Sequence, residues 1–296
     1  MDAVVTLAGE GTRMLPWSRG LRKEFLPLYD HGSDGPPVLK PVAHLVVESL
    51  VAGGAFHLTI VHQPRDEEVV RNYFTVDSKF LRRHRRHGER LRETRRFYDT
   101  LNRLRISFVV QPTPGGFGDA VARAKKSVGG QRFFVHAGDA VLLEPHRGRL
   151  LRAMGALLER DGLDAVLLLR KVADPRRYGV VEGRPGPSVH GIRRLDVTGM
   201  VEKPKQPKTH WAATAVYAFQ PSIFAALEKA RRTQRPRELE LTDGIRTLIA
   251  DGGRVAGLIL TPSLGGWWSV GSPEGFARAL ARTHTVAAHP PAEPHR

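Results

Sequence analysis

An α/β fold built on a mostly parallel, helix-covered sheet is predicted, and three observations predict it. Short apolar runs alternate with segments of helical periodicity through the first two thirds of the chain. Loops with chemistry of their own begin at residues 8, 111 and 139, and each directly follows such a run. In parallel sheets ligands sit beyond the carboxyl ends of the strands, so these three loops would share one edge. The 296 residues contain no internal repeat and no break in composition, which fits one continuous domain.

Taken in order, the first part places strands near 3–7, 57–62, 105–110, 132–137 and 164–169. Their uninterrupted apolar character suits strands covered on both faces. Helices are expected near 41–53, 66–74, 79–103, 118–127 and 148–160. From Tyr178 the texture changes to short β segments at 179–181, 192–195, 199–201 and 213–219. Helices near 221–231 and 240–251, a strand at 254–260 and a helix near 273–284 complete the fold. The tail from Ala287, rich in proline and histidine, is expected to fray.

Hydrophobic residues make up 41% of the chain, ordinary for a globular protein, and no apolar stretch reaches membrane-spanning length. Met1-Asp2 leads straight into a strand, so a cytoplasmic location is expected. The absence of cysteine excludes disulfides and thiolate metal sites. The net charge of +16 points to an anionic partner. It concentrates between Lys79 and Arg96, where Arg82, Arg83, Arg85, Arg86, Arg90, Arg92, Arg95 and Arg96 face only Glu89 and Glu93. Leu91, Tyr98, Leu101 and Leu104 recur at roughly helical spacing, which reads as an amphipathic helix with a solvated basic face. No helix-turn-helix, zinc or stacking-aromatic pattern accompanies the charge, so nucleic acid is not an expected partner.

The most informative stretch is 8–28, AGEGTRMLPWSRGLRKEFLPL, placed directly after the first strand. Gly9 and Gly11 let backbone amides approach a ligand that a Cβ would block. Such a nest binds anions, and Arg13 and Lys23 nearby favour a polyphosphate. Met14 stands where a dinucleotide fingerprint needs its third glycine, and no Gly-Lys-Ser/Thr follows as a P-loop requires.

Further constellations follow other strands. Gln111, before Pro112 to Gly118, carries a side-chain amide suited to the edge of a pyrimidine. Phe133 to Gly138 is an apolar strand running into Asp139, whose carboxylate suits Mg²⁺ beside phosphate oxygens. In Met200-Val201-Glu202-Lys203-Pro204, Glu202 can accept from sugar hydroxyls and Lys203 can hold a phosphate. Neighbours on a strand point to opposite faces, so both reaching one cleft requires an irregular strand end before Pro204. His84 and His87 lie in the basic segment without carboxylate support, which argues against metal.

Together these motifs resemble the sugar-phosphate nucleotidyltransferases, in particular the bacterial UTP–glucose-1-phosphate uridylyltransferases. The matching elements are Ala8 to Pro16, Lys23 to Leu28, Gln111 to Gly118, Gly138-Asp139, Tyr178-Gly179-Val180-Val181, Val201 to Pro204 and Glu238 to Asp243. The resemblance implies a Rossmann-like α/β fold of the nucleotide-diphospho-sugar transferase type, with helices on both faces. A nucleotide-binding part about 1–140 and a sugar-binding part about 141–286 would form one domain. The implied reaction is UTP plus glucose 1-phosphate giving UDP-glucose and pyrophosphate. Arg13 and Lys23 would be catalytic, and Ala8, Gly9, Gly11 and Thr12 would bind the nucleotide. Gln111 and Gly116 would read the base, and Asp139 would hold Mg²⁺. Gly179, Glu202, Lys203 and Thr214 would take the sugar phosphate. The 79–105 insertion favours UTP over dTTP, and a homo-oligomer is expected.

Three positions depart from the pattern: Arg22 replaces a proline, Phe117 a leucine, and Ser269 the aspartate that relatives place near the metal. A hydroxyl is a weaker Mg²⁺ ligand than a carboxylate. Either one carboxylate suffices, or Glu240 substitutes, or the chain is a non-catalytic nucleotide-sugar-binding regulator. Thr242 is expected to cap the helix that follows it.

Overall fold

A computed structural model describes residues 1–32, 35–88, 91–233 and 238–289. The first strand, β1 (Asp2–Leu7), is followed by the hairpin β2 (Pro27–Gly32) and β3 (Gly35–Pro41), then α1 (Val42–Ala52) and β4 (His57–His62). Next come α2 (Glu67–Tyr73), α3 (Ser78–Arg83), α4 (Arg92–Asn102), β5 (Arg105–Val110), α5 (Phe117–Arg123) and α6 (Lys125–Val128). Then follow β6 (Phe133–Ala137), β7 (Ala140–Leu143), α7 (Arg149–Arg160), β8 (Ala165–Lys171), β9 (Gly179–Val189), β10 (Ile192–Glu202) and β11 (Trp211–Phe219). The chain closes with α8 (Ser222–Thr233), α9 (Leu241–Ala250), β12 (Val255–Ile259), β13 (Gly266–Ser269) and α10 (Pro273–Ala288).

Nine of these strands form one sheet in the order β5-β4-β1-β6-β11-β8-β12-β10-β9. Pairing is parallel from β5 to β6, where Asp2 to Thr6 lie opposite Phe133 to Ala137. The other half is mixed: β8 and β12 are parallel, while β11, β10 and β9 run antiparallel to their neighbours. Alternate side chains feed two cores. Val5, Phe134 and Leu168 enter one, and Val4, Phe133 and Leu167 enter the other, so helices must cover both faces.

The predicted 79–103 helix is broken. Asp77 caps α3 by accepting from the Phe80 amide at 2.8 Å, and a 3-10 turn at Arg85–His87 separates α3 from α4. Like charges at helical spacing oppose a continuous helix here, and Gly88 adds a propensity cost. Glu89 and Arg90 lie outside the described residues. The expected fraying from Ala287 is also corrected, because α10 continues to Ala288 and Ala287 is buried. Residues 290–296 lie outside the description. The segments read as 192–195 and 199–201 form one strand, with a register shift between Val197 and Gly199. Two small sheets were not foreseen, the β2–β3 hairpin and the β7–β13 pair; their strands are short or polar and show no periodicity.

Candidate active site

The chain leaves β1 at Leu7 and turns across the carboxyl edge of the parallel strands. Gly11 adopts φ +69°, a conformation glycine takes without steric cost, and opens the short turn Thr12–Met14. The loop carbonyls are tied down: Gln63 Nε2 donates to Ala8 O at 2.8 Å, and Ser18 Oγ to Gly11 O at 2.8 Å. Arg22 Nη2 donates to Leu7 O, and to Gly9 O at 2.8 Å. Among the described residues nothing accepts from the amides of Glu10, Gly11, Thr12 or Arg13. Anchored carbonyls with unclaimed amides are the makings of an anion nest.

Beneath the loop lies a buried charge cluster. Arg22 Nε is 3.3 Å from Glu24 Oε2, and Arg22 Nη1 is 3.3 Å from Asp66 Oδ2. Lys23 Nζ is 2.5 Å from Asp139 Oδ2 and 3.9 Å from Glu24 Oε1. Burial works against the charge of both Lys23 and Asp139. Their mutual attraction outweighs it, so Lys23 titrates above the ordinary lysine range and Asp139 below the ordinary carboxylate range. Burial lifts Glu24 to about 7 despite the attraction of Lys23 and Arg22. Lys23, without an evident partner in the sequence, therefore has one across 116 positions.

Arg13 and Ser269 converge on the same place. A Cβ built on Gly271 would lie 3.1 Å from Arg13 Nη2, 3.1 Å from Asp139 Oδ2 and 3.2 Å from Ser269 Oγ. The β7–β13 pairing makes this possible, because it sets Ser269 opposite Ala140 while Val270 N donates to Asp139 O at 2.8 Å. Ser269 thus lies beside Asp139. Glu240 faces the same cleft as Asp139. It is the N-cap of α9, with its amide donating to Asp243 Oδ2 at 3.0 Å, and its carboxylate lies 3.9 Å from Lys203. Thr242 is not the cap; its hydroxyl donates to Glu202 Oε2 at 2.7 Å.

Two cavities meet at Arg13, Phe117, Asp139, Arg177, Glu240 and Gly271, which line both. One, of about 690 Å³, is lined by Ala8, Gly9, Gly11 and Thr12 and by Gln111 and Gly116. Gln111 is buried, and its Nε2 donates to Asp119 Oδ2 at 2.8 Å and to Gly116 O at 3.2 Å. Both partners are acceptors, so the amide orientation is settled and Oε1 remains as the outward acceptor. Gly116 has φ +93°, and a Cβ there would strike Leu239 O at 2.5 Å; packing against the Leu239 backbone requires this glycine.

The second cavity, of about 1020 Å³, is lined by Gly179, Glu202 and Thr214. The strand end is irregular, with Lys203 at φ +42° and its Nζ 3.1 Å from Glu202 Oε1, yet Lys203 lines the first cavity while Glu202 lines the second. A Cβ at Gly179 would meet Met200 Cε at 2.7 Å and crowd Glu202 Oε2 at 3.2 Å. Thr214 is fully buried in the register shift of β11, and its hydroxyl donates to Leu168 O at 2.9 Å. Its proton is thus committed to the backbone rather than to the cavity.

The family profile described as nucleotidyl transferase matches residues 2–285. The chain belongs to the nucleotidyl transferase family. It is 30% identical over 285 residues to the UTP–glucose-1-phosphate uridylyltransferase of Mycoplasma pneumoniae, covering 94% of this chain and 90% of that one. A UDP-glucose pyrophosphorylase complexed with UDP-glucose superposes with a TM-score of 0.77 at 23% identity, covering 96% of this chain and 98% of that one. The UTP-bound UGPase from Acinetobacter baumannii superposes with a TM-score of 0.75 at 24% identity, covering 95% and 92%. The α/β nucleotidyltransferase fold expected from the sequence is therefore present.

Arg22 is the residue of this nucleotidyl transferase that sequence reading undervalued. It stands in place of a proline and braces the glycine loop through Leu7 O and Gly9 O. A lysine or arginine inside an apolar-flanked motif is a signal of a buried pair, but its carboxylate partner Asp66 is too distant in sequence to be found by spacing. Among the described residues no helix is long and apolar enough to cross a membrane.

Proposed function

We propose that this chain transfers a uridylyl group from UTP to glucose 1-phosphate, forming UDP-glucose and pyrophosphate. The observation that carries the reading is the meeting of the two cavities at Arg13, Asp139 and Gly271. An oxygen of the sugar phosphate attacks the α-phosphorus of UTP. The new oxygen–phosphorus bond forms as the bond from the α-phosphorus to the bridging oxygen breaks, and pyrophosphate leaves with that electron pair. Ala8, Gly9, Gly11 and Thr12 cradle the triphosphate, while Arg13 and Lys23 face the charge that develops on the leaving group. Gln111 Oε1 accepts from the ring N–H of uracil, a contact that thymine also offers, so dTTP is the nearest competitor. Glu202 and Gly179 take the sugar, with Thr214 behind them, and Lys203 takes its phosphate.

Mg²⁺ fits this site only as an ion shared with the substrate. Asp139 offers one carboxylate and Ser269 a hydroxyl, and among the described residues no group of three His, Cys, Asp or Glu could hold a metal. Mg²⁺ commonly takes one or two carboxylates plus phosphate oxygens, which matches this donor set. The ion would supply neutralisation of the triphosphate charge, with Lys23 and the ion sharing the Asp139 carboxylate. A homo-oligomer in the cytoplasm belongs to the same proposal.

The test is pyrophosphate release by the purified protein with UTP, dTTP or ATP, glucose 1-phosphate and Mg²⁺. UTP with glucose 1-phosphate is expected to be fastest. Binding of UDP-glucose without any pyrophosphate release would instead favour the regulatory paralogue that Ser269 suggests.

A further inference from the structure

Buried cations in this protein face carboxylates. Arg22 has Glu24 and Asp66, Lys23 has Asp139, Lys40 has Asp30 at 2.9 Å, and Arg194 has Asp161 at 2.5 Å. Arg170 breaks the rule. It lies near the end of β8 opposite Ala212, half-buried, in the cavity that holds Gly179 and Glu202. Its hydrogen-bond partner is neutral: Nη2 donates to Tyr178 Oη at 3.1 Å. Among the described residues no carboxylate lies within ion-pair distance of it. Burial pushes its pKa down, and Tyr178 alone pulls the other way.

The guanidinium is held in place by aromatic rings instead. Its Cζ lies 4.4 Å from the Trp267 ring centroid and 5.2 Å from that of Tyr178. These contacts steady the cation but accept no in-plane hydrogen bond. Arg170 Nε is buried without an acceptor, and so is the neighbouring Trp267 Nε1. A desolvated cation with idle edge donors is costly to keep, and the fork geometry of arginine suits a two-oxygen anion. Position 269 points the same way. Ser269, two residues beyond Trp267 on β13, leaves this wall without the negative charge an aspartate would bring.

We infer that Arg170 is an anion-binding residue of the sugar cavity, receiving an oxyanion of the sugar 1-phosphate. The oxyanion is either its phosphate or a carboxylate carried on the sugar ring. The inference rests on the sugar phosphate entering this cavity, as in the proposed function. Arg170 and Trp267 join its two walls: Tyr178 precedes Gly179 on the sugar side, and Trp267 pairs with Leu142 on the strand after Asp139.

The experiment is calorimetric binding of glucose 1-phosphate and glucuronic acid 1-phosphate, each with a non-reactive UTP analogue present. The proteins are the wild type, Arg170→Gln and Arg170→Lys. A tenfold or greater loss in Arg170→Gln for both sugars, with analogue affinity unchanged, assigns the phosphate. Such a loss for glucuronic acid 1-phosphate alone assigns the carboxylate. Partial rescue by Arg170→Lys supports either assignment and carries the test if the glutamine variant does not fold. Unchanged sugar affinities, equal losses for sugar and nucleotide, or a wild type that binds neither sugar phosphate would overturn the inference. A wild type that binds sugar phosphates through Arg170 but releases no pyrophosphate removes the transferase reading and leaves this one standing.

Discussion

At the glycine-loop edge Arg22 and Lys23 each meet a carboxylate, the strands are parallel, and the loop carbonyls are tied back before any ligand arrives. At the second cavity Arg170 has only a tyrosine hydroxyl and aromatic rings, and the sheet is mixed, with register shifts in its antiparallel pairs. Lys203 and Ala215, both non-glycine, take φ of +42° and +59°. Such backbone states cost on the order of 1–3 kcal/mol and persist only where packing over-determines them. The contrast separates two tasks. Charge pairs preorganise the side proposed to hold the triphosphate, whereas backbone irregularity and an unpaired cation shape the side proposed to recognise the sugar.

The largest effect is expected where the two sides meet. Asp139→Ala removes the carboxylate that pairs with Lys23 and the main ligand proposed for an ion. Turnover should fall by about 10³-fold, the upper range for losing one preorganised charge. Pyrophosphate release measures this, and a loss below tenfold would dissolve the distinction between the two edges. Arg13 is exposed and makes no ion pair among the described residues, so Arg13→Ala should cut turnover by about 10²-fold. Its melting temperature without ligand should stay within a degree or two of wild type; a large drop would make Arg13 a structural residue.

Gln111→Ala should reduce the preference for UTP over ATP by about tenfold, the worth of one buried hydrogen bond. Competition assays report it, and an unchanged preference would move base recognition elsewhere. Glu24 tests whether the loop edge is held by charge. Its folded pKa, about 7, lies above the ordinary 4.5, so the folded chain retains an extra proton between those values. That contribution to stability is complete below pH 4.5 and is lost as pH rises through 7. Relative to Glu24→Gln, wild type should therefore lose melting temperature between pH 5 and pH 8, by about 2–4 °C per kcal/mol. A parallel pair of melting curves across that range would contradict it. The smallest effect is expected from Ser269→Asp, which should lower the Mg²⁺ concentration for half-maximal activity without changing affinity for UTP. No shift in the Mg²⁺ titration would place position 269 outside the ion's surroundings.

Motifs that fold locally were legible in the chain. Gly9 and Gly11 after an apolar strand announced a backbone nest, and Glu202-Lys203-Pro204 announced a broken strand end, because turn chemistry resides in adjacent residues. The long parallel-strand runs were legible for the same reason, since burial on both faces leaves an uninterrupted apolar signature. The basic 79–103 segment was misjudged because helical periodicity does not register repulsion between like charges or the cost of Gly88.

What the sequence by itself determined is the set of chemical groups and their local poses: the glycine turn, the amide of Gln111, the strand ending in Asp139. Only the tertiary structure decided who faces whom. The Lys23–Asp139 pair spans 116 positions, Arg22 reaches Asp66, and Gly116 owes its place to the backbone of Leu239. The β7–β13 pairing brings Ser269 beside Arg13 and Asp139. Charge interactions and close packing depend on distance in space, which the order of residues does not encode. For the same reason Arg170 shows its missing carboxylate only once the strands around it are assembled.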